Sequence, residues 1–220
     1  MTVFGRGAVL FDLDGTLADT APDLIAAVNR VRAALALPPV PHAQVRPAVS
    51  KGARAMLRVG IPERPEAELS ELERFLAFYG ARSNADARLF DGIEPLLAAL
   101  EAQRRPWGIV TNKPGFLTQP LLVSLALIER AGVVVSGDTL PVKKPDPAPV
   151  RYACEILGAD PATVVLVGDD RRDIESAHAA GAAAIIAGWG YFEPSDEPGS
   201  WGAEASAAEP ESLRELLGLA

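Results

Sequence analysis

The sequence predicts an α/β protein: a doubly wound parallel sheet with a small helical unit inserted after the first strand. Three observations point there. Short apolar runs alternate with helical periodicity along most of the chain. The runs are continuous rather than alternating, as in strands covered on both faces. The alternation breaks once, from about Pro22 to Arg88, where helical spacing is found without a convincing strand.

The first strand is expected over Ala8–Asp14. In the break, Leu24, Ile25, Val28, Val31 and Leu35 recur at helical spacing, and so do Leu69, Leu72, Phe75, Leu76 and Tyr79. Pro38-Pro39-Val40-Pro41 and Ile61-Pro62-Glu63 mark loops there. The connections near Ala18–Pro22 and Ala87–Gly92 would be hinges. The division expected is a core of residues 1–18 and 89–220 with a helical unit of 19–88. After it come a helix at Gly92–Arg104, a strand at Trp107–Asn112, a helix at Phe116–Glu129 and a strand at Val133–Gly137. A helix at Ala148–Leu157, a strand at Val164–Asp169, a helix at Asp173–Ala180 and a strand at Ala182–Gly188 follow. Tyr191–Ala208, rich in Pro, Gly, Ser and Ala, reads as a loop over the sheet edge. Glu209-Pro210 is a start signal for a closing helix over Glu211–Leu219.

Composition narrows the function. A chain of 220 residues suits one α/β core plus a smaller unit, and 49% hydrophobic content can bury it. A net charge of −8 argues against nucleic acid and against acidic membranes, though a pocket can still be locally basic. The first apolar run is short and ends in aspartate, unlike a signal peptide, and no apolar stretch is long enough to span a bilayer. A cytoplasmic, reducing setting is expected. The single cysteine, Cys154, excludes an intramolecular disulfide and falls on the apolar side of a helix with Val150, Ala153 and Leu157. His42 and His178 lie in no ligand-like cluster, and Ser50 and Ser136 lack a His/Asp arrangement, so zinc and serine-hydrolase chemistry are not supported.

The chemistry starts at Asp12-Leu13-Asp14-Gly15-Thr16. Residues i and i+2 of a strand share a side. Asp12 and Asp14 would then repel, and need a cation, or one of them must hold a proton. Both options suit cleavage of phosphate esters. Three further elements fall at predicted strand ends, where open α/β sheets place their sites. They are Thr111-Asn112, Lys143-Lys144-Pro145-Asp146-Pro147 and Gly168-Asp169-Asp170-Arg171-Arg172-Asp173.

Together these four elements resemble, in order, the motifs of the haloacid dehalogenase superfamily in its phosphatase branch. The resemblance covers nearly the whole chain. It implies a Rossmann-like core with a helical cap of the C1 type, and a phosphomonoester hydrolase working through an aspartyl-phosphate. By resemblance Asp12 is the nucleophile and Asp14 the acid and base. Asp12, the backbone carbonyl of Asp14, and Asp169 hold Mg²⁺. Thr111 and the N–H of Asn112 bind phosphoryl oxygens. Lys144, which directly precedes proline, neutralises charge, and Asp173 orients waters or the lysine around the metal. Asp170 is either a further contact near the metal or a helix N-terminal acid. An acid at Asp14 favours phosphate esters over dehalogenation. A phosphomutase would need a cap that excludes water, and a non-catalytic regulator would have lost one of these residues.

In the cap, Val49-Ser50-Lys51-Gly52-Ala53-Arg54-Ala55-Met56 puts two cations around a glycine turn ahead of a helix. Ser50, Lys51, Gly52 and Arg54 are the candidates to meet a second anionic group on the substrate. The chain is similar to phosphoglycolate phosphatases. It is more similar still to bacterial N-acetylmuramic acid 6-phosphate phosphatases, through Ser50–Met56, Trp107–Pro114, Gly168–Ser176, Gly190-Tyr191-Phe192 and Trp201-Gly202-Ala203. That resemblance implies a small phosphorylated metabolite from cell-wall recycling as substrate, with phosphoglycolate as the alternative, and a monomer or homodimer.

Overall fold

The computed structural model describes residues 4, 7–64, 69–81 and 84–219. Eight strands and nine α-helices are found among them. The chain runs through β1 (Val9–Phe11), β2 (Ala18–Asp19), α1 (Ala21–Ala34), α2 (His42–Val45), α3 (Ala53–Gly60), α4 (Leu69–Gly80) and β3 (Arg88–Leu89). It continues through α5 (Ile93–Ala102), β4 (Trp107–Val110), α6 (Gly115–Ser124), β5 (Val134–Val135) and α7 (Ala148–Leu157). The last elements are β6 (Val165–Gly168), α8 (Arg171–Ala180), β7 (Ala183–Ala187), β8 (Ala205–Ala207) and α9 (Pro210–Leu217).

Six strands form one parallel sheet in the order β5-β4-β1-β6-β7-β8. β1 is central because Val9, Leu10 and Phe11 are all fully buried, which only an inner strand covered on both faces allows. Its pleat divides the core. Val9 and Phe11 face one apolar cluster with residues of α5, α6 and α9. Leu10 faces the other, with residues of α7 and α8. Cys154 lies in that second cluster and is buried, as its position on the helix predicts.

The segment between β2 and β3 is helical and builds its own cluster from α1 to α4, around Ile25, Val28, Leu57 and Phe75. The sequence shows its helices but not its base. β2 and β3 pair antiparallel across the two connections, with Ala18 opposite Leu89 and Asp19 opposite Arg88. The helical unit therefore leaves and re-enters the core through one two-stranded ribbon. Leu117 and Tyr191 of the core extend into its cluster.

Two expectations are corrected. Tyr191–Ala208 is not all loop, since Ala205–Ala207 adds a sixth strand beside β7. The first strand stops at Phe11, and the chain turns at Leu13 before an isolated bridge from Asp14 to Ala18. Strand alternation therefore does not govern Asp12 and Asp14.

Candidate active site

The sheet order brings the site together. Phe11 of β1 lies beside Ile109 of β4 and Val167 of β6, so the residues following each strand meet at one edge. Asp12, Thr111 and Asp169 are those residues. The strand order reverses on either side of β1, which makes a crevice at the carboxyl ends.

Lys144 enters this crevice from the loop after β5. Its side chain is 2% exposed and its Nζ lies 2.9 Å from Asp12 Oδ1 and 2.6 Å from Asp173 Oδ1. It also donates to the Val110 carbonyl at 2.5 Å. Burial works against the ammonium, but Asp12 and then Asp173 outweigh it and hold Lys144 above the ordinary lysine range. Lys143, by contrast, is exposed.

Asp12, Asp169 and Asp173 each offer a carboxylate oxygen, and these atoms lie within 4.8 Å of one another. Burial, then Asp12 and Asp173, push Asp169 well above the ordinary aspartate range. Burial likewise raises Asp173, against the pull of Lys144. Three buried acids with one lysine between two of them form an excess of negative charge. A hard divalent cation with oxygen ligands fits that donor set. Ser50 Oγ donates to Asp169 Oδ2 at 2.7 Å and lies 3.4 Å from the Asp14 carbonyl oxygen, so that carbonyl faces the same cluster. Gly15 and Gly190 wall it in, and a Cβ on either would overlap Asp169.

Asp170 is the N-cap of α8. Its carboxylate accepts from Arg172 N–H at 3.0 Å, and Asp173 returns the bond to Asp170 N–H. This reciprocal box turns Asp173 toward Lys144. Asp170 also pairs with Lys51 at 3.1 Å and Arg172 at 2.7 Å. Of the two readings of Asp170, the helix-cap reading describes its contacts.

The remaining candidates separate. Thr111 is buried, and its Oγ1 accepts from the Lys113 N–H. Asn112 donates from Nδ2 to the Lys144 carbonyl at 2.9 Å, while its Oδ1 is buried without a partner among the described residues. Gly52 caps the start of α3 with φ of 92°, a positive value that glycine tolerates. Arg54 is exposed on the first turn of α3 and borders the cleft. Lys51 also borders the cleft, but its ammonium pairs with Asp170 and, at 3.0 Å, with Asp196, and lies 5.8 Å from the Trp201 ring. These pairings tie the cap-side lysine to the core at the rim of the cleft. Ser50 borders the cleft as well, with its hydroxyl turned to Asp169.

Asp14 has partners that its motif does not announce. It pairs with Lys113 Nζ at 3.0 Å and accepts from Thr20 Oγ1 at 2.5 Å. Lys113 and Tyr191 are contributors with no role assigned from sequence, although both stand in motifs that carry the family resemblance. Tyr191 N–H donates to Asp169 at 2.8 Å, while its hydroxyl donates to Asp19 and accepts from the Thr20 and Ala21 N–H groups. Arg46 pairs with Asp19 and stacks 4.8 Å above the Tyr191 ring. His42 and His178 are exposed and outside the site.

The cleft between core and cap encloses about 390 Å³. Its floor is Asp12, Asp14, Thr111 and Lys144, and its cap wall is apolar, with Leu24, Met56, Leu72, Phe75 and Leu76. A charged floor beneath an apolar wall suits an anionic head on a partly apolar body.

The family profile of haloacid dehalogenase-like hydrolases matches residues 9–187. The chain belongs to this family, and within it to the phosphatases. It is 46% identical to a phosphoglycolate phosphatase of Xanthomonas campestris pv. campestris, over 94% of this chain and 95% of that one. It is 45% identical to an N-acetylmuramic acid 6-phosphate phosphatase of Pseudomonas aeruginosa, over 96% and 94%. Among solved structures, a predicted phosphoglycolate phosphatase from Haemophilus somnus superposes with a TM-score of 0.84 at 28% identity, covering 98% of this chain and 99% of that one. No helix among the described residues is long and apolar enough to cross a membrane.

Proposed function

We propose that this phosphatase hydrolyses N-acetylmuramic acid 6-phosphate in the cytoplasm, by an aspartyl-phosphate route with Mg²⁺. The observation that carries the reading is Asp12 held by Lys144 at the floor of the cleft, beside Asp169 and Asp173. In-line attack by the Asp12 carboxylate forms an Asp12–phosphorus bond as the bond to the ester oxygen breaks. Asp14 gives the leaving oxygen a proton. It then takes one from water, whose oxygen attacks phosphorus and releases Asp12 and orthophosphate. Lys144, Thr111 and the Asn112 N–H receive the charge on the phosphoryl oxygens. Asp12, Asp169 and the Asp14 carbonyl, with Asp173 behind them, would hold Mg²⁺. When bound, it offsets repulsion between phosphate and carboxylates. Residues 19–88 act as the cap and select the leaving group.

The sugar phosphate is favoured by the cleft. A two-carbon acid would leave its apolar wall unused, whereas the acetamido and lactyl methyl groups have surface to meet it. Arg54, exposed at the rim, suits the lactyl carboxylate. Phosphoglycolate is the second reading, supported by the 46% identical relative of that name. The test is kcat/KM on both esters side by side with Mg²⁺. A preference of about a hundredfold for the sugar phosphate, roughly 2.7 kcal/mol in transition-state binding, is expected. The reverse preference would assign phosphoglycolate.

A further inference from the structure

The reaction above uses Asp14 but not the cation that grips it. Lys113 lies just beyond the phosphoryl-binding pair Thr111-Asn112, and its side chain is 5% exposed. Its Nζ donates to both oxygens of Asp14, at 3.0 and 3.3 Å, and to Tyr79 Oη at 2.8 Å. Tyr79 belongs to α4 of the cap and is itself buried. A buried ammonium is unfavourable unless paired and hydrogen-bonded. Here burial opposes the charge, and Asp14, then Tyr79, outweigh it. The lysine is thus satisfied by one group from the core and one from the cap, and it borders the same cleft as Asp12. A plain cap anchor has no need to grip the one carboxylate that must move a proton. An anchor placed elsewhere, such as Lys51 on Asp170 and Asp196, already ties the cap to the core.

We propose that Lys113 is a positioning residue: it fixes the Asp14 carboxylate for proton transfer, and Tyr79 fixes Lys113, so that acid–base chemistry is enabled when the cap is closed. This rests on Asp14 as the acid and base. Until the cap brings Tyr79 over it, Lys113 lacks one acceptor, and Asp14 is held by the Thr20 hydroxyl and a less constrained lysine. A phosphoryl group entering an open cleft would then meet Asp12 without an aligned proton donor.

The test compares Lys113→Met, Tyr79→Phe and Asp14→Asn, all with Mg²⁺. The probes are whichever of N-acetylmuramic acid 6-phosphate or 2-phosphoglycolate is turned over, and p-nitrophenyl phosphate, whose leaving group needs no proton. Lys113→Met is expected to lose kcat on the alkyl ester by about a hundredfold, the weight of a general acid–base group, with KM little changed. Tyr79→Phe loses roughly fivefold, the weight of one hydrogen bond. With p-nitrophenyl phosphate, rapid acid quench should trap a larger fraction of both variants as aspartyl-phosphate than of wild type, because water attack is slowed. Adding Lys113→Met to Asp14→Asn should cause no further loss. Wild-type kcat in Lys113→Met, with Asp14→Asn inactive, overturns the proposal, and so does a full further loss in the double variant. Wild-type kcat in Asp14→Asn overturns the acid–base reading itself, and with it this proposal. Should Lys113→Met not fold, Tyr79→Phe decides alone: unchanged kcat and unchanged phosphoenzyme overturn it.

Discussion

Asp12 and Asp19 each have a cationic partner close by, and the two pairings make different predictions. Asp12 shares Lys144 with Asp173. Asp12→Asn keeps the shape and removes the carboxylate proposed to attack phosphorus. Turnover should fall on the order of 10⁴-fold or more, with Tm within about 4 °C of wild type. Steady-state assay and thermal melting check both halves. Asp19 is held below the ordinary aspartate value of 3.8. Burial opposes this, and hydrogen bonds from Arg46 and Tyr191 outweigh it. A depressed carboxylate contributes stability above its unfolded value, and that stability is lost as pH falls through the folded one. Wild type should therefore lose Tm more steeply than Asp19→Asn as pH drops below 3.8. Parallel acid-melting slopes would remove the linkage. Asp12, Lys144, Asp169 and Asp173 were legible in the sequence because an apolar run or a Lys-Pro step announces each of them. The grip on Asp14 was not. Lys113 and Tyr79 lie 34 positions apart, and Tyr79 has the spacing of an ordinary core residue. Only docking of the cap reveals its hydroxyl as a partner.

At the scale of elements, α8 carries the acidic cluster on its first turn, and its start is built by side chains. Asp170 caps the helix, and Asp173 completes the box while turning to Lys144. Asp170→Ala should lower stability by about 1–2 kcal/mol through the lost cap, plus the stranding of Lys51 and Arg172. Asp170→Asn keeps a capping oxygen and should cost less. Urea unfolding of the two variants separates cap from charge, and equal losses would assign the effect to charge alone. The helix was readable because Gly168-Asp169-Asp170 ends an apolar run. β8 was not, because Ala205-Ser206-Ala207 has weak strand propensity. It is a strand because β7 offers it an open edge. The β2–β3 ribbon was missed for a related reason, since two residues carry no periodicity.

The whole molecule combines three apolar clusters with one crowded set of buried acids. Mg²⁺ that binds the folded chain and not the unfolded one should raise stability by roughly 2.7 kcal/mol at a hundred times its Kd. Asp169→Asn should abolish that rise in thermal melting, and a rise kept in full would move the metal elsewhere. The acids are crowded by neighbours that have no functional group at all. Gly15 and Gly190 approach Asp169 so closely that no side chain fits. Under random substitution, these two positions should fail as often as Asp12 does. A map of tolerance drawn without the structure would mark them as chemistry, when what they supply is room.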